Sequence, residues 1–198
     1  MPGEESLVLG RRLAHEFHLA LHAFRYSAAS SSMGSITASL ADFVRELAAP
    51  EVHFVGHSLG GLVIHRFLER FPEQPPGRVV FLGTPSVASR AAENAARFAP
   101  IAHLMGRSVA EELLQPRERR WTHPNPLGIV AGTQPIGLGQ FLAHFDEEND
   151  GTIAVSETRM AGATDHIVLP VSHLAMLVST RVAHETGLFL TQGHFSLR

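Results

Sequence analysis

Three residues, far apart in the chain, are of the types that nucleophilic chemistry at a serine requires. Ser58 lies in Gly56-His57-Ser58-Leu59-Gly60, a G-x-S-x-G pentapeptide. A serine hydroxyl is a weak nucleophile. It needs a histidine to take its proton and an acid to hold that imidazole in the right tautomer. His173 stands between Ser172 and an apolar segment near the chain end, and Asp150 precedes Gly151 after an apolar run. There a short carboxylate can point inward while the glycine lets the chain turn. The alternative reading of Asp150 is an Asx turn at a loop end, and of His173 a helix-capping or packed histidine. Asp165, beside His166, is a second candidate acid. Asp146, Glu147 and Glu148 read as a solvated acidic run.

The elements that must position Ser58 are legible around it. Val52 to Val55 reads as a short strand, and Leu59 to Phe71 as a helix with Leu62, Val63, Phe67 and Phe71 in helical period. A sharp strand-to-helix turn of this kind lifts the central side chain into the open above a sheet. The serine is expected to adopt a strained backbone conformation. Gly56 and Gly60 are expected to provide clearance for the crossing strand and helix, with Gly61 extending it. The helix N-terminus behind Ser58 directs free N–H groups at any charge that develops there. The pentapeptide alone arises by chance in about one chain in fifteen of this length, so its strand-and-helix context carries the argument against a plain capped turn.

The rest of the chain supplies further elements in alternation. Ser6 to Phe17 reads as a helix, His18 to Tyr26 as a strand, Ser27 to Gly34 as a loop and Ser35 to Leu47 as a helix closed by Pro50. Arg78 to Gly83 and Leu127 to Gly132 are short continuous apolar runs, as in strands buried on both faces. Between them, Val87 to Met105 reads as partly helical, Val109 to Leu114 as a short helix, and Pro116 to Pro126 as a loop around the sole tryptophan. Thr133 to Asn149 is a long connection of the sort that usually carries function. Asp165 to Pro170 reads as a last strand and Leu174 to Leu190 as a terminal helix. Such alternation predicts an α/β fold with a mostly parallel sheet in one domain over residues 1–198. Sites in such sheets lie at the carboxyl ends of the strands, and Ser58, Asp150 and His173 all follow predicted strands.

Composition narrows the classes. The 198 residues are 44% hydrophobic and 18% charged, as in an ordinary globular chain. A formal net charge of −3 without a basic block argues against nucleic acid as a partner. Arg117, Arg119 and Arg120 beside Trp121 read as a solvated turn. The absence of cysteine excludes disulfides and thiol chemistry. No apolar run reaches the roughly 18 residues of a membrane span. Met1 to Glu5 lacks the basic and apolar regions of a signal peptide, so a cytoplasmic location is expected. His15, His18 and His22 fall one residue short of a zinc-binding H-E-x-x-H and read as surface or packed histidines.

Taken together, Gly56 to Gly61, Leu82-Gly83-Thr84-Pro85, Asn149-Asp150-Gly151-Thr152-Ile153 and Val171-Ser172-His173 resemble the lipase-like branch of the α/β-hydrolase family. The resemblance runs from about residue 6 to the end. It implies an α/β-hydrolase fold, a central sheet flanked by helices with a minimal lid, and an esterase or lipase-like activity. It implies Ser58 as nucleophile, Asp150 as acid, His173 as base and the backbone N–H of Leu59 as an oxyanion donor. The expected substrate is a small-molecule or lipid ester, with no metal or organic cofactor. The family usually opens with a buried strand ending in His-Gly, whose loop gives a second oxyanion N–H; nothing upstream of Ser6 matches it. Two alternatives stand beside this reading, the first of them motivated by that departure. One is a catalytically impaired scaffold used for binding or assembly, with a possible homodimer through an open strand edge. The other is acyl transfer to an alcohol, which the same triad serves.

Overall fold

The computed structural model describes residues 4–27, 30–87, 119–136 and 146–196. Helix α1 (Glu4–Phe17) and α2 (Met33–Leu47) precede strand β1 (Phe54–His57), which runs directly into α3 (Leu59–Arg70). Strands β2 (Val79–Leu82) and β3 (Leu127–Gly132) follow, then the one-turn helix α4 (Val155–Thr158), strand β4 (Asp165–Leu169) and the terminal helix α5 (Thr180–Gln192). Among the described residues the strands form one parallel sheet in the order β1-β2-β3-β4. All four therefore point their carboxyl ends toward the same edge.

The side-chain alternation of the strands divides the interior into two layers. Val79, Phe81, Leu127 and Ile129 face one layer, packed with Ile36, Leu40 and Val44 of α2 and Val63, Phe67 and Leu68 of α3. Val80, Leu82 and Val130 face the other, with Leu9 and Leu13 of α1 and Val182, Phe189 and Leu190 of α5. Burial on both faces is why β2 and β3 are continuous apolar runs and not alternating ones. Each fully buried Leu, Val or Phe contributes roughly 1.5–3 kcal/mol of hydrophobic free energy. Helices α1 and α5 cross closely at Gly187, where a Cβ would lie 2.1 Å from the Phe17 ring. Among the described residues no helix is long and apolar enough to cross a membrane.

The structure corrects the sequence reading in several places. Residues 18–26 form no strand. His18 leaves α1 at φ 56°, and the segment then half-buries selected side chains without joining a ladder. Leu19 packs on the second layer, Phe24 and Tyr26 on the first, and Leu21 rests on the bare backbone of Gly10. The continuous helix expected from Leu174 is interrupted: Ala175–Leu177 is a single 3-10 turn. Helix α5 begins later because the Ser179 hydroxyl accepts from Val182 N–H at 3.3 Å and so supplies the N-cap. Arg119, read as solvated, is buried, with its backbone N–H and its guanidinium both directed at the Ser86 carbonyl. Arg120 is exposed as expected. The helices expected in Val87 to Met105 and Val109 to Leu114, and with them any lid, lie outside the described residues, as does Arg117.

Phe67 is fully buried and meets Phe54 with ring centroids 5.6 Å apart. Phe67→Ala should therefore lower stability by about 3–5 kcal/mol, read as a lower urea midpoint with an unchanged m-value.

Candidate active site

The turn between β1 and α3 is as tight as the pentapeptide implies. Ser58 has φ 53° and ψ −121°, a strained conformation for a residue with a Cβ. Neighbours enforce it. Ser58 N–H donates to the Leu82 carbonyl at 2.9 Å, and the Ser58 carbonyl accepts from Gly61 N–H at 3.1 Å and from Thr84 Oγ1 at 2.9 Å. A Cβ on Gly56 would stand 2.5 Å from the Gly61 nitrogen, and one on Gly61 would stand 2.2 Å from Thr84 Oγ1. Gly60 is different: a Cβ there would meet only the Tyr26 hydroxyl at 3.9 Å, an ordinary contact. Clearance for the turn thus comes from Gly56 and Gly61, and not from Gly60 as the sequence suggests. Leu59 opens α3, so its N–H is one of the first-turn donors that have no intrahelical acceptor.

Asp150 and His173 meet at the same sheet edge. Asp150 is 1% exposed. Its Oδ1 accepts from the N–H groups of Thr152 at 2.9 Å and Ile153 at 2.7 Å, and its Oδ2 accepts from His173 Nδ1 at 2.7 Å. A carboxylate only accepts, so Nδ1 of His173 carries the hydrogen, which in the neutral ring leaves the lone pair on Nε2. The backbones join as well, His173 N–H donating to the Asp150 carbonyl at 2.8 Å. Space for this pair depends on Gly83, just beyond β2, at φ 54°. A Cβ there would lie 2.9 Å from Asp150 Oδ2 and 3.0 Å from His173 Nδ1. Gly132, at the end of β3, likewise leaves room for the Asp150 Cβ. Gly151 turns the chain at φ 91°, its N–H held by Asn149 Oδ1 at 3.0 Å.

Ser58 belongs to the same cluster through Leu82 and Thr84, which flank Gly83. No hydrogen bond joins Ser58 Oγ to His173 among the described residues; such bonds are often long in unliganded sites. Asp165 lies elsewhere. It begins β4, at the opposite edge of the sheet, where its carboxylate accepts from His166 N–H and Phe195 N–H, both at 2.9 Å. Strand direction thus separates it from Ser58. Asp146 and Glu148 are exposed, in keeping with a solvated run. His57, read as packing in the turn, faces His173 with ring centroids 4.5 Å apart. Burial, followed by the His173 charge, pushes its pKa down to about 4.

A model of the alpha/beta hydrolase family matches residues 7–186. The chain belongs to the α/β-hydrolase family. The hydrolase superposes on the mature form of a Bacillus licheniformis lipase with a TM-score of 0.61 at 21% identity, over 81% of this chain and 74% of that one. It spans only 43% of the same lipase in its propeptide form. A meta-cleavage product hydrolase from Pseudomonas fluorescens gives a TM-score of 0.60 at 14% identity, covering 98% of this chain and 87% of the other. An esterase from a Rhodococcus species gives 0.59 at 13%, covering 94% and 86%. At these identities the likeness is one of fold. No curated protein matches the hydrolase in sequence.

The apolar residues Phe98, Ile101, Leu104 and Met105 of the segment read as partly helical lie outside the described residues. Two exposed apolar residues are chain neighbours or backbone neighbours of this edge: Leu174, 71% exposed, follows His173, and Ile136 is 69% exposed. The Ile136 backbone lies against Gly151. Thr84 and Gly83 were legible only as part of the Leu-Gly-Thr-Pro resemblance. No property of the isolated tetrapeptide shows that one holds Ser58 and the other makes room for Asp150.

Two outcomes follow from this geometry. Gly83→Ala should separate Asp150 from His173, read by NMR as loss of the strongly downfield Nδ1–H resonance of His173 in a still folded protein. The second concerns acid stability. The unfolded chain binds a proton at His57 near pH 6.5, whereas the native ring does so only near 4. The unfolded state therefore binds more protons between those values. The His57 contribution is complete above about pH 6.5 and is lost as pH falls toward 4. His57→Gln should flatten that part of a stability–pH curve. His53, His65 and His166, whose pKa values burial also lowers, contribute to the part left.

Proposed function

We propose that this hydrolase cleaves carboxylic esters through Ser58, His173 and Asp150. The observation that carries the reading is the 2.7 Å bond from His173 Nδ1 to the buried Asp150 Oδ2, at the sheet edge where a strained turn presents Ser58. With Nδ1–H bound to the acid, the His173 Nε2 lone pair is the general base. Ser58 Oγ attacks the ester carbonyl carbon as Nε2 takes its proton. The oxyanion of the tetrahedral intermediate accepts from the Leu59 N–H at the start of α3. Collapse breaks the carbon–oxygen ester bond, and the imidazolium returns its proton to the departing alcohol. Water, deprotonated by His173, then attacks the acyl-enzyme and releases the acid, and Ser58 recovers its hydrogen. Asp150 stays ionised throughout and stabilises the imidazolium.

The exposed Leu174, next to His173 in the chain, and Ile136, whose backbone meets Gly151, support an ester with an apolar portion, a small molecule or a lipid. A lipase and an esterase are among the structural neighbours, in keeping with the same substrate class. The second reading is a non-catalytic scaffold, in which Ser58 and His173 stay without the hydrogen bond that is missing between them among the described residues.

A fluorophosphonate probe, with adducts located by mass spectrometry, separates the two. The proposed reaction requires labelling at Ser58 and turnover of p-nitrophenyl butyrate. Turnover should fall at least about 10⁴-fold in Ser58→Ala and about 10⁴-fold in Asp150→Asn. Asp165→Asn should leave it within a few fold. A folded protein that neither labels nor turns over would establish the scaffold reading.

A further inference from the structure

His57 occupies the variable position of the pentapeptide, directly before Ser58. Its Nε2 lies 2.9 Å from the backbone oxygen of His173, a residue 116 positions later in the chain. A carbonyl oxygen can only accept, so Nε2 of His57 must carry a hydrogen. The two imidazoles also lie against each other, 4.5 Å between centroids at an interplanar angle of 47°.

The bonds that locate His173 divide by origin. Its N–H and its Nδ1–H both go to Asp150. Its carbonyl goes to His57. Asp150 thus sets the orientation of the ring but has no direct connection to the serine turn. Among the described residues, His57 makes the one hydrogen bond that runs from the turn itself to His173. Because His57 is the covalent neighbour of Ser58, that bond sets how far the His173 loop stands from the serine.

We propose that His57 is a positioning residue: its Nε2–H holds the His173 backbone at a set distance from Ser58, and its uncharged ring backs the His173 imidazole. The proposal rests on the ester-cleaving reading for its kinetic consequences, but the tie itself is a structural claim. The ionisable groups acting on His57 are His173 and Asp150, with opposite signs. Burial keeps the ring neutral at neutral pH. A neutral ring leaves His173 free to become cationic during turnover, whereas a second cation at this spacing would oppose it. An apolar residue of similar size would fill the volume without supplying the donor. The proposal therefore distinguishes hydrogen bonding from packing.

The test compares the parent with His57→Phe, which fills the space without a donor, and His57→Gln, whose amide places a donor near the Nε2 position. In the parent, ¹⁵N-detected imidazole spectra should show His57 as the Nε2–H tautomer, neutral at pH 6. In His57→Phe the downfield Nδ1–H signal of His173 should broaden through exchange as its loop loosens, and in His57→Gln it should sharpen again. With p-nitrophenyl butyrate, His57→Phe should lower kcat by about 10–100-fold with KM changed less than about threefold, as for a small displacement of a catalytic group. His57→Gln should recover at least half of that loss on a logarithmic scale. An Nδ1–H or charged His57 in the parent would overturn the proposal. So would a His57→Phe protein with an unaltered His173 signal. If Phe is not accommodated, the parent tautomer and the His57→Gln spectrum decide alone. If the parent proves inactive, the ester-cleaving reading fails, while the spectra still decide whether the tie exists.

Discussion

A buried carboxylate is the constraint around which this sheet edge is built. Asp150, almost without solvent contact, must have its oxygens satisfied by protein groups. It meets the requirement with two backbone N–H groups on Oδ1 and the His173 ring on Oδ2. Each of these depends on a local backbone decision. Gly151 turns the chain so that Thr152 and Ile153 present their N–H groups, and Gly83 and Gly132 pass beneath the pair without side chains. Removing either partner would leave a costly buried polar group. His173 is therefore held by the needs of Asp150 as much as by its own.

That pair gains meaning from its distance to Ser58, and that distance is a property of the sheet. Parallel pairing aligns β1, β2 and β3 in register, so the residues leaving their carboxyl ends converge: His57 and Ser58 from β1, Gly83 and Thr84 from β2, Gly132 from β3. The strained backbone of Ser58 persists because Leu82, Thr84 and Gly61 hold it from both sides. These supports stand on two apolar layers, α2 and α3 on one face of the sheet and α1 and α5 on the other. Rigid packing beneath the edge is what allows small displacements at the edge to matter, for the Asp150–His173 pair and for the contact between His57 and His173.

Elements whose side chains are buried on their own account were legible in the chain. The β3 run Leu127 to Gly132 coincides with the reading, β2 and β4 fall within theirs, and α2 and α3 match to within two residues at each end. Two segments were misread for a common reason. Residues 18–26 and 174–178 contain apolar side chains at strand-like or helix-like spacing, yet each buries only some of them and exposes others, such as Leu21, Leu174 and Val178. Periodicity records that a residue is apolar, not which surface receives it. Asp165 posed a similar ambiguity, since its proximity to His166 in sequence has no bearing on which end of a parallel strand it occupies.

By itself, the sequence determined the alternation of buried strands and helices, the strand–serine–helix turn, and a histidine and a carboxylate on loops that follow strands. Local rules suffice for these, because apolar runs, helical period and glycine placement act over a few neighbouring residues. The tertiary structure added the contacts: His173 with Asp150 and not with Asp165, Gly61 over Gly60 as the source of clearance, Gly83 as the space-maker beneath Asp150, and His57 as a neighbour of His173. Each of these is a contact between segments dozens of residues apart, created when the parallel sheet brings its carboxyl ends to one edge. A linear pattern has no term for that distance, so only the folded chain could choose among the residues it offered.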